Sequence, residues 1–247
     1  MNSQNRQLCI VFPMGMEAYP FLRRVEVLSR RQAGKAVYRD AFFEGHRLTI
    51  VRCGIGPDRA ASAVRALKGR PQWIISAGIA GSLVAGIRSG DMVIASETVF
   101  GHEPDDAIGC QEDLVSVAAQ ACRLEGITPR IGRLATVRAA VFSREERRRL
   151  HELTAAQAVD MESHAIGMEA RRLGSSFVAL RVISDDMESP PLATIGSIKQ
   201  MWKHPAQWRQ NLAAAWQWWK FVRTVRCVVE LLHPVLVRVI RDIDKSK

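Results

Sequence analysis

The densest chemistry in the chain lies between residues 159 and 185. Val159-Asp160-Met161-Glu162-Ser163-His164-Ala165 leads into a segment of helical period, and Phe177-Val178-Ala179-Leu180-Arg181-Val182-Ile183-Ser184-Asp185 follows as a long apolar run. Glu162 stands at the predicted helix start. There the N-terminal dipole favours the ionised form and leaves the carboxylate free to accept hydrogen bonds from two neighbouring hydroxyls. Asp185 stands just past the end of a predicted strand, and open α/β sheets bind ligands outside such ends. In apolar surroundings its pKa would rise, and a protonated acid there can donate to a leaving group. Two surface carboxylates at element ends, common in α/β proteins, would show the same spacing.

Elements able to position these residues are visible in the hydrophobic pattern. Apolar, β-branched runs recur at 8–12, 48–51, 73–76, 92–95, 132–137 and 177–184, and several lead into segments of helical period. Helices are predicted over 58–68, 113–125, 143–153 and 162–173. The third carries a Ser143/Glu146 capping box and the fourth ends at Gly174. This alternation predicts an α/β layered fold with a largely parallel or mixed sheet. No internal repeat or low-complexity linker divides the chain, so one domain over 1–247 is expected. Pro190-Pro191, followed by Thr194, Gly196 and Ser197, marks a loop.

Composition narrows the class. The 247 residues are 47% hydrophobic and 24% charged, enough to bury a sizeable core. The first residues lack the basic and long apolar regions of a signal peptide. The longest weakly polar stretch, 73–87, is shorter than the roughly 18 residues of a membrane span and is broken by Gly78, Gly81 and Gly86. Five cysteines without a CxxC pair indicate neither a disulfide framework nor a zinc cage, which points to the cytosol. His102-Glu103-Pro104-Asp105-Asp106 is read as a contiguous loop rather than a metal site, and His164 as a packed or partly exposed helix residue.

Five signatures in order carry a resemblance over roughly residues 8–186. Asp160-Met161-Glu162 and Arg181-Val182-Ile183-Ser184-Asp185 resemble the paired E-M-E and R-x-I-S-D signatures of methylthioadenosine/S-adenosylhomocysteine nucleosidases and related purine nucleoside phosphorylases. Gly54-Ile55-Gly56 resembles that family's SGIG turn, Ala77-Gly78-Ile79-Ala80-Gly81 its TGSAG turn, and Ser89-Gly90-Asp91-Met92-Val93 its VGDIV segment. Met14-Gly15-Met16-Glu17 resembles its N-terminal A-M-E-E-E. The resemblance implies a three-layer α/β/α sandwich around a central mixed, mostly parallel sheet, and an enzyme that cleaves the N-glycosidic bond of a purine nucleoside.

By that resemblance Asp185 protonates N7 of the purine, Glu17 activates a water, and Arg181 orients the acidic pair. Glu162 binds the ribose 2′ and 3′ hydroxyls with Met161 against the sugar. Gly78 lies in a substrate-contacting turn, Val141 and Phe142 flank the base, and His102 lies in a loop that in the family approaches a neighbouring subunit's pocket. Cleavage through a sugar cation needs a neutralised leaving base on one side and a nucleophile on the other, so no metal or organic cofactor is implied. A homo-oligomer, dimer or larger, is implied as well. Three departures bear on the chemistry. Ser76 stands where the phosphorylases place a phosphate-binding arginine, which favours hydrolysis. Gly54-Ile55-Gly56-Pro57 could still cradle an anion, which keeps phosphorolysis with inorganic phosphate as the alternative. Ile79 replaces a substrate-contacting serine, and Val137-Arg138-Ala139-Ala140-Val141 replaces the usual S-G-D-A-F.

The net charge of +10 is concentrated at the C-terminus. Residues 199–247 hold ten Lys or Arg against three acids, together with Trp202, Trp208, Trp216, Trp218 and Trp219. Trp218, Phe221, Val222, Val225, Val228, Val229 and Leu232 recur at helical spacing opposite Lys220, Arg223, Arg226 and Glu230. Such a helix either packs on the sheet as the last core helix or lies on an anionic membrane surface. No nucleic-acid module is visible. The core, the Pro-Pro loop and this tail together resemble the hopanoid-associated phosphorylase branch. That branch implies adenosylhopane as substrate and a cytoplasmic enzyme peripheral to the inner membrane.

Overall fold

The computed structural model describes residues 7–188 and 208–245. The centre of the fold is a run of parallel strands: β1 (Gln7–Phe12), β4 (His46–Arg52), β5 (Trp73–Ser82) and β10 (Ser176–Asp185). Almost every residue of β5 and β10 is buried, as expected of strands covered on both faces, which read as continuous apolar runs. Antiparallel β3 (Ala36–Phe43) and β2 (Glu26–Ala33) extend the sheet beyond β4. On the other side β6 (Met92–Phe100) runs antiparallel to β10 and forms a hairpin with β7 (Glu103–Gly109). β8 (Arg130–Thr136) lies parallel to β6, and β9 (Ala158–Asp160) bridges β8 back to β5. The sheet is therefore mixed, and β5, β10, β6, β8 and β9 close into a ring that gathers several strand ends at one mouth.

Helices cover both faces and make the three layers. Against one face lie α1 (Gly15–Leu22), α3 (Glu112–Leu124) and the long C-terminal α6 (Trp208–Asp242), around a core that includes Ile10, Phe12, Ile75 and Val182. Against the other lie α2 (Pro57–Arg65) and α5 (Ser163–Leu173), around Val11, Val51, Ile74 and Ile183. α4 (Arg144–Thr154) follows the ring strands, with Ser143 Oγ accepting the Glu146 amide at 3.1 Å. Gly174 ends α5 at φ 67, a left-handed conformation that costs glycine little.

The described part of α6 decides between the two readings of the tail for its second half. Val225, Val228, Val229, Leu232, Val235, Leu236, Val239 and Ile240 are buried in the main core. Arg241 Nη2 pairs with Glu44 at 2.6 Å, and Arg238 pairs with Glu125. Trp219 is 55% exposed, with the Arg223 guanidinium 5.5 Å from its ring centroid. Trp218 and Phe221 have no described side chains, and the Pro190-Pro191 loop and Trp202 lie outside the described residues.

Candidate active site

The floor of the ring mouth is an ion pair. Arg181, on β10 opposite Gly78 of β5, is fully buried. Its Nε and Nη2 donate to Asp160 Oδ2 at 2.9 and 2.7 Å, and Nη2 also donates to Ser76 Oγ and Ser163 Oγ, both at 2.8 Å. Asp160 Oδ1 accepts from Thr136 Oγ1 at 2.6 Å, and Oδ2 accepts the Ser163 amide at 3.2 Å. Asp160 thus caps the start of α5 while it neutralises Arg181. The resemblance implied that Arg181 orients the acidic pair. Instead it bonds Asp160 and reaches Glu162 and Glu17 only through its field, which opposes in part the rise that burial gives both. Ser76, where an anion-binding arginine was sought, is an acceptor for this buried guanidinium.

Two glutamates stand above that pair. Glu17, in the first turn of α1, is buried, with Oε1 accepting the Ile79 amide at 2.9 Å and Oε2 the Met14 amide at 2.6 Å. A Cβ at Gly78 would lie 2.7 Å from Glu17 Oε1, so the glycine makes room for the carboxylate. Burial pushes Glu17 up to about 7, against the pull of the Ile79 amide and Arg181. Glu162 Oε1 accepts the Gly56 amide at 2.7 Å. The glycine turn expected to cradle a foreign anion therefore cradles the protein's own carboxylate. Burial, followed by repulsion from Asp160, raises the pKa of Glu162. This corrects the expectation of a carboxylate held ionised by the helix dipole: desolvation outweighs the dipole, and Asp160 is the residue that accepts the first amides of α5.

Asp185, at the end of β10, does not lie in apolar surroundings. Its Oδ2 is paired with Arg147 Nη2, and its Oδ1 accepts from Ser184 Oγ at 2.5 Å. The resemblance pointed to Asp185, but Arg147 was not identified from the sequence. The available signal was its place in an inward stripe with Leu150 and Thr154 along α4. Val141 and Met161 pack together on the small cluster of Leu83, Val99 and Val159 beside this pair, and Phe142 is half-buried. Glu17 thus lies against Gly78 and Ile79 of β5, Glu162 against Gly56, and Asp185 against Gly81 of the same β5, while Val141 and Met161 pack on one neighbouring cluster.

Other candidates fall elsewhere. His102 is exposed, and Glu103 begins β7 rather than continuing a loop. His164 is buried, stacks on Phe100 with ring centroids 5.7 Å apart, and places Nε2 3.3 Å from Asp106. Cys9, Cys53 and Cys122 are buried, where desolvation raises their thiols. Among the described residues no three His, Cys, Asp or Glu side chains come together to hold a metal ion, and no helix is long and apolar enough to cross a membrane.

The comparisons with known proteins give the class: an enzyme of the nucleosidase and nucleoside phosphorylase kind. The chain belongs to the phosphorylase superfamily, whose model matches residues 7–207. It is similar to a 5′-methylthioadenosine/S-adenosylhomocysteine nucleosidase of Geobacillus thermodenitrificans, 31% identical over 165 residues that cover 58% of this chain and 68% of the relative. A Staphylococcus aureus protein of the same name is 25% identical over 193 residues, 71% of this chain and 85% of its own. The fold matches the crystal structure of S-adenosylhomocysteine nucleosidase from Streptococcus pyogenes with a TM-score of 0.79 at 19% identity, covering 98% and 99% of the two chains. It also matches futalosine hydrolase of Helicobacter pylori, with a TM-score of 0.77 at 19% identity, covering 96% and 98%.

Proposed function

We propose that this enzyme hydrolyses the N-glycosidic bond of a 5′-substituted adenine nucleoside and releases adenine. The observation that carries the hydrolytic reading is the use made of the anion-binding groups at the mouth. The Ile79 and Gly56 amides are bonded to Glu17 and Glu162, and the Arg181 guanidinium is spent on Asp160. Those amides and that guanidinium are already taken by the protein's own carboxylates, which leaves none of them to hold a phosphate. A glutamate near 7 suits a base that takes a proton from water at neutral pH.

In this reading Glu17 activates the water, Glu162 accepts from the ribose hydroxyls beside Met161, and Gly78 leaves room for the Glu17 carboxylate in the substrate-side turn. Asp185 gives its proton to the purine between Val141 and Phe142, while Arg181 sets the field. The curated relatives act on methylthioadenosine and S-adenosylhomocysteine by name, which supports an adenine nucleoside with a bulky 5′ group. A lipid-linked adenosine such as adenosylhopane is the substrate favoured by the exposed Trp219 and Arg223 at the basic helix, a pair suited to an anionic membrane surface. The resemblance also implies a cytoplasmic enzyme assembled as a dimer or larger, which sedimentation and cell fractionation measure.

The deciding experiment follows adenine release from methylthioadenosine, S-adenosylhomocysteine, adenosine and a lipid-linked adenosine, with and without phosphate. Release that ignores phosphate is expected. Strict dependence on phosphate, with a sugar 1-phosphate as product, would overturn hydrolysis. Failure of all four substrates would overturn the adenine assignment.

A further inference from the structure

α4 carries four arginines, at 144, 147, 148 and 149, and only Arg147 turns inward. Its guanidinium is spent on four partners. Nε donates to Val141 O at 3.1 Å, Nη1 donates to Ser82 O at 3.1 Å and Asp186 O at 3.4 Å, and Nη2 pairs with Asp185 Oδ2. These partners are the wall expected to flank the base, the end of β5, and the end of β10 that carries the expected acid. Gly81 is shaped to the pair: a Cβ there would lie 2.8 Å from Asp185 Oδ2 and 3.0 Å from Arg147 Nη2. A buried guanidinium is costly to desolvate, and here its donors are met by three main-chain carbonyls and the one carboxylate of Asp185.

We propose that Arg147 is a positioning residue for departure of the base. It holds Asp185 and the Val141–Phe142 wall as one unit and meets the carboxylate charge that appears on Asp185 as the proton leaves. The inference rests on the reading of Asp185 as the acid. In that step the C1′–N9 bond breaks, its electron pair goes to the purine, and the Asp185 proton passes to N7. Asp185 is left as a carboxylate, and Arg147 keeps its own proton throughout. Charge that develops in the transition state is thus met by a donor already in place, with no reorganisation at the moment of reaction. The sugar cation takes the oxygen of the water that Glu17 deprotonates, and exchange with solvent returns the protons to their starting places.

The test compares two leaving groups on one sugar: adenine, in methylthioadenosine, and 4-nitrophenolate on 5-methylthioribose, which departs without a proton. Arg147→Met should lower kcat for adenine release about 10²-fold, the low end of what general acid catalysis contributes, and nitrophenolate release far less. Arg147→Lys, which keeps the charge but not the fork, should recover roughly a tenth of wild-type turnover. Adenine release by the Arg147→Met/Asp185→Asn double variant should match that of Asp185→Asn alone, because both changes remove one function.

Equal losses on both leaving groups, or losses that multiply in the double variant, would show a purely structural Arg147 and overturn the inference. If Asp185→Asn discriminates between the leaving groups and Arg147→Met does not, the inference alone fails. If Asp185→Asn does not discriminate either, the acid reading falls and this one with it. Should Arg147→Met fail to fold by circular dichroism, Arg147→Lys carries the same comparison. Should the nitrophenyl glycoside resist the wild-type enzyme, the double-variant cycle on adenine release decides.

Discussion

Glu17→Gln separates the cost of the site from its use. Burial lifts Glu17 from 4.5 in the open chain to about 7 in the fold. At about 1.4 kcal/mol per pH unit, this shift corresponds to roughly 3 kcal/mol of lost stability once the carboxylate is ionised in both states. The folded protein holds the proton more tightly than the unfolded chain. The loss is therefore absent below 4.5, grows as pH rises, and is complete above about 7. Glutamine does not titrate, so the variant escapes this loss but turns an amide N–H toward either the Met14 or the Ile79 amide. That clash costs about 1 to 3 kcal/mol at every pH. Urea unfolding followed by tryptophan fluorescence at pH 5, 6.5 and 8 should therefore show the variant gaining on the wild type by roughly 2 to 3 kcal/mol from pH 5 to pH 8. Turnover should be abolished throughout. A stability difference constant across that range within about 0.5 kcal/mol would refute the reasoning, because Glu17 would then titrate alike in both states.

If Glu17 must be ionised to take a proton from water, kcat/KM should rise with pH through about 7, and a profile flat from pH 5.5 to 8 would remove it as the base. Gly78→Ala places a Cβ 2.7 Å from Glu17 Oε1 and should cost about 10²-fold in kcat with the fold intact by circular dichroism. Wild-type turnover in that variant would mean the carboxylate's place is unimportant. Asp160→Asn leaves Arg181 buried without its counter-charge and should destabilise by about 3 to 5 kcal/mol in denaturant titration. His233 is buried with no partner for Nε2 among the described residues, and its pKa is lowered by burial and then by Arg24. Stability linked to it is complete above the ordinary histidine range and lost as pH falls through the lowered value, so His233→Leu should flatten the acid side of the stability curve.

Much of this protein is legible from residue order. The apolar runs of β1, β4, β5, β6 and β10 are visible because strands covered on both faces are largely apolar, β8 through its buried second half, and α2 to α5 because a helix packed on one side repeats its apolar residues. Ser143 and Gly174 mark helix ends through their own backbone chemistry. Glu17, Glu162 and Asp185 are recognisable because their signatures are short and local. β2 escapes such reading because it is exposed along nearly its whole length and has no face to pattern, while β9 is too short to show a period.

Partnership is what folding alone decides. Ser76 and Gly56 are 105 and 106 residues from their partners, and no local pattern predicts that one serves Arg181 and the other Glu162. The ring closed by β9 brings Asp160 under both glutamates, and desolvation there reverses the ionisation that a helix start would favour in water. Asp185 faces Arg147 because α4 turns one of its four arginines inward. Residue types name the candidate acids and bases, whereas their charge states depend on burial and on neighbours distant in sequence.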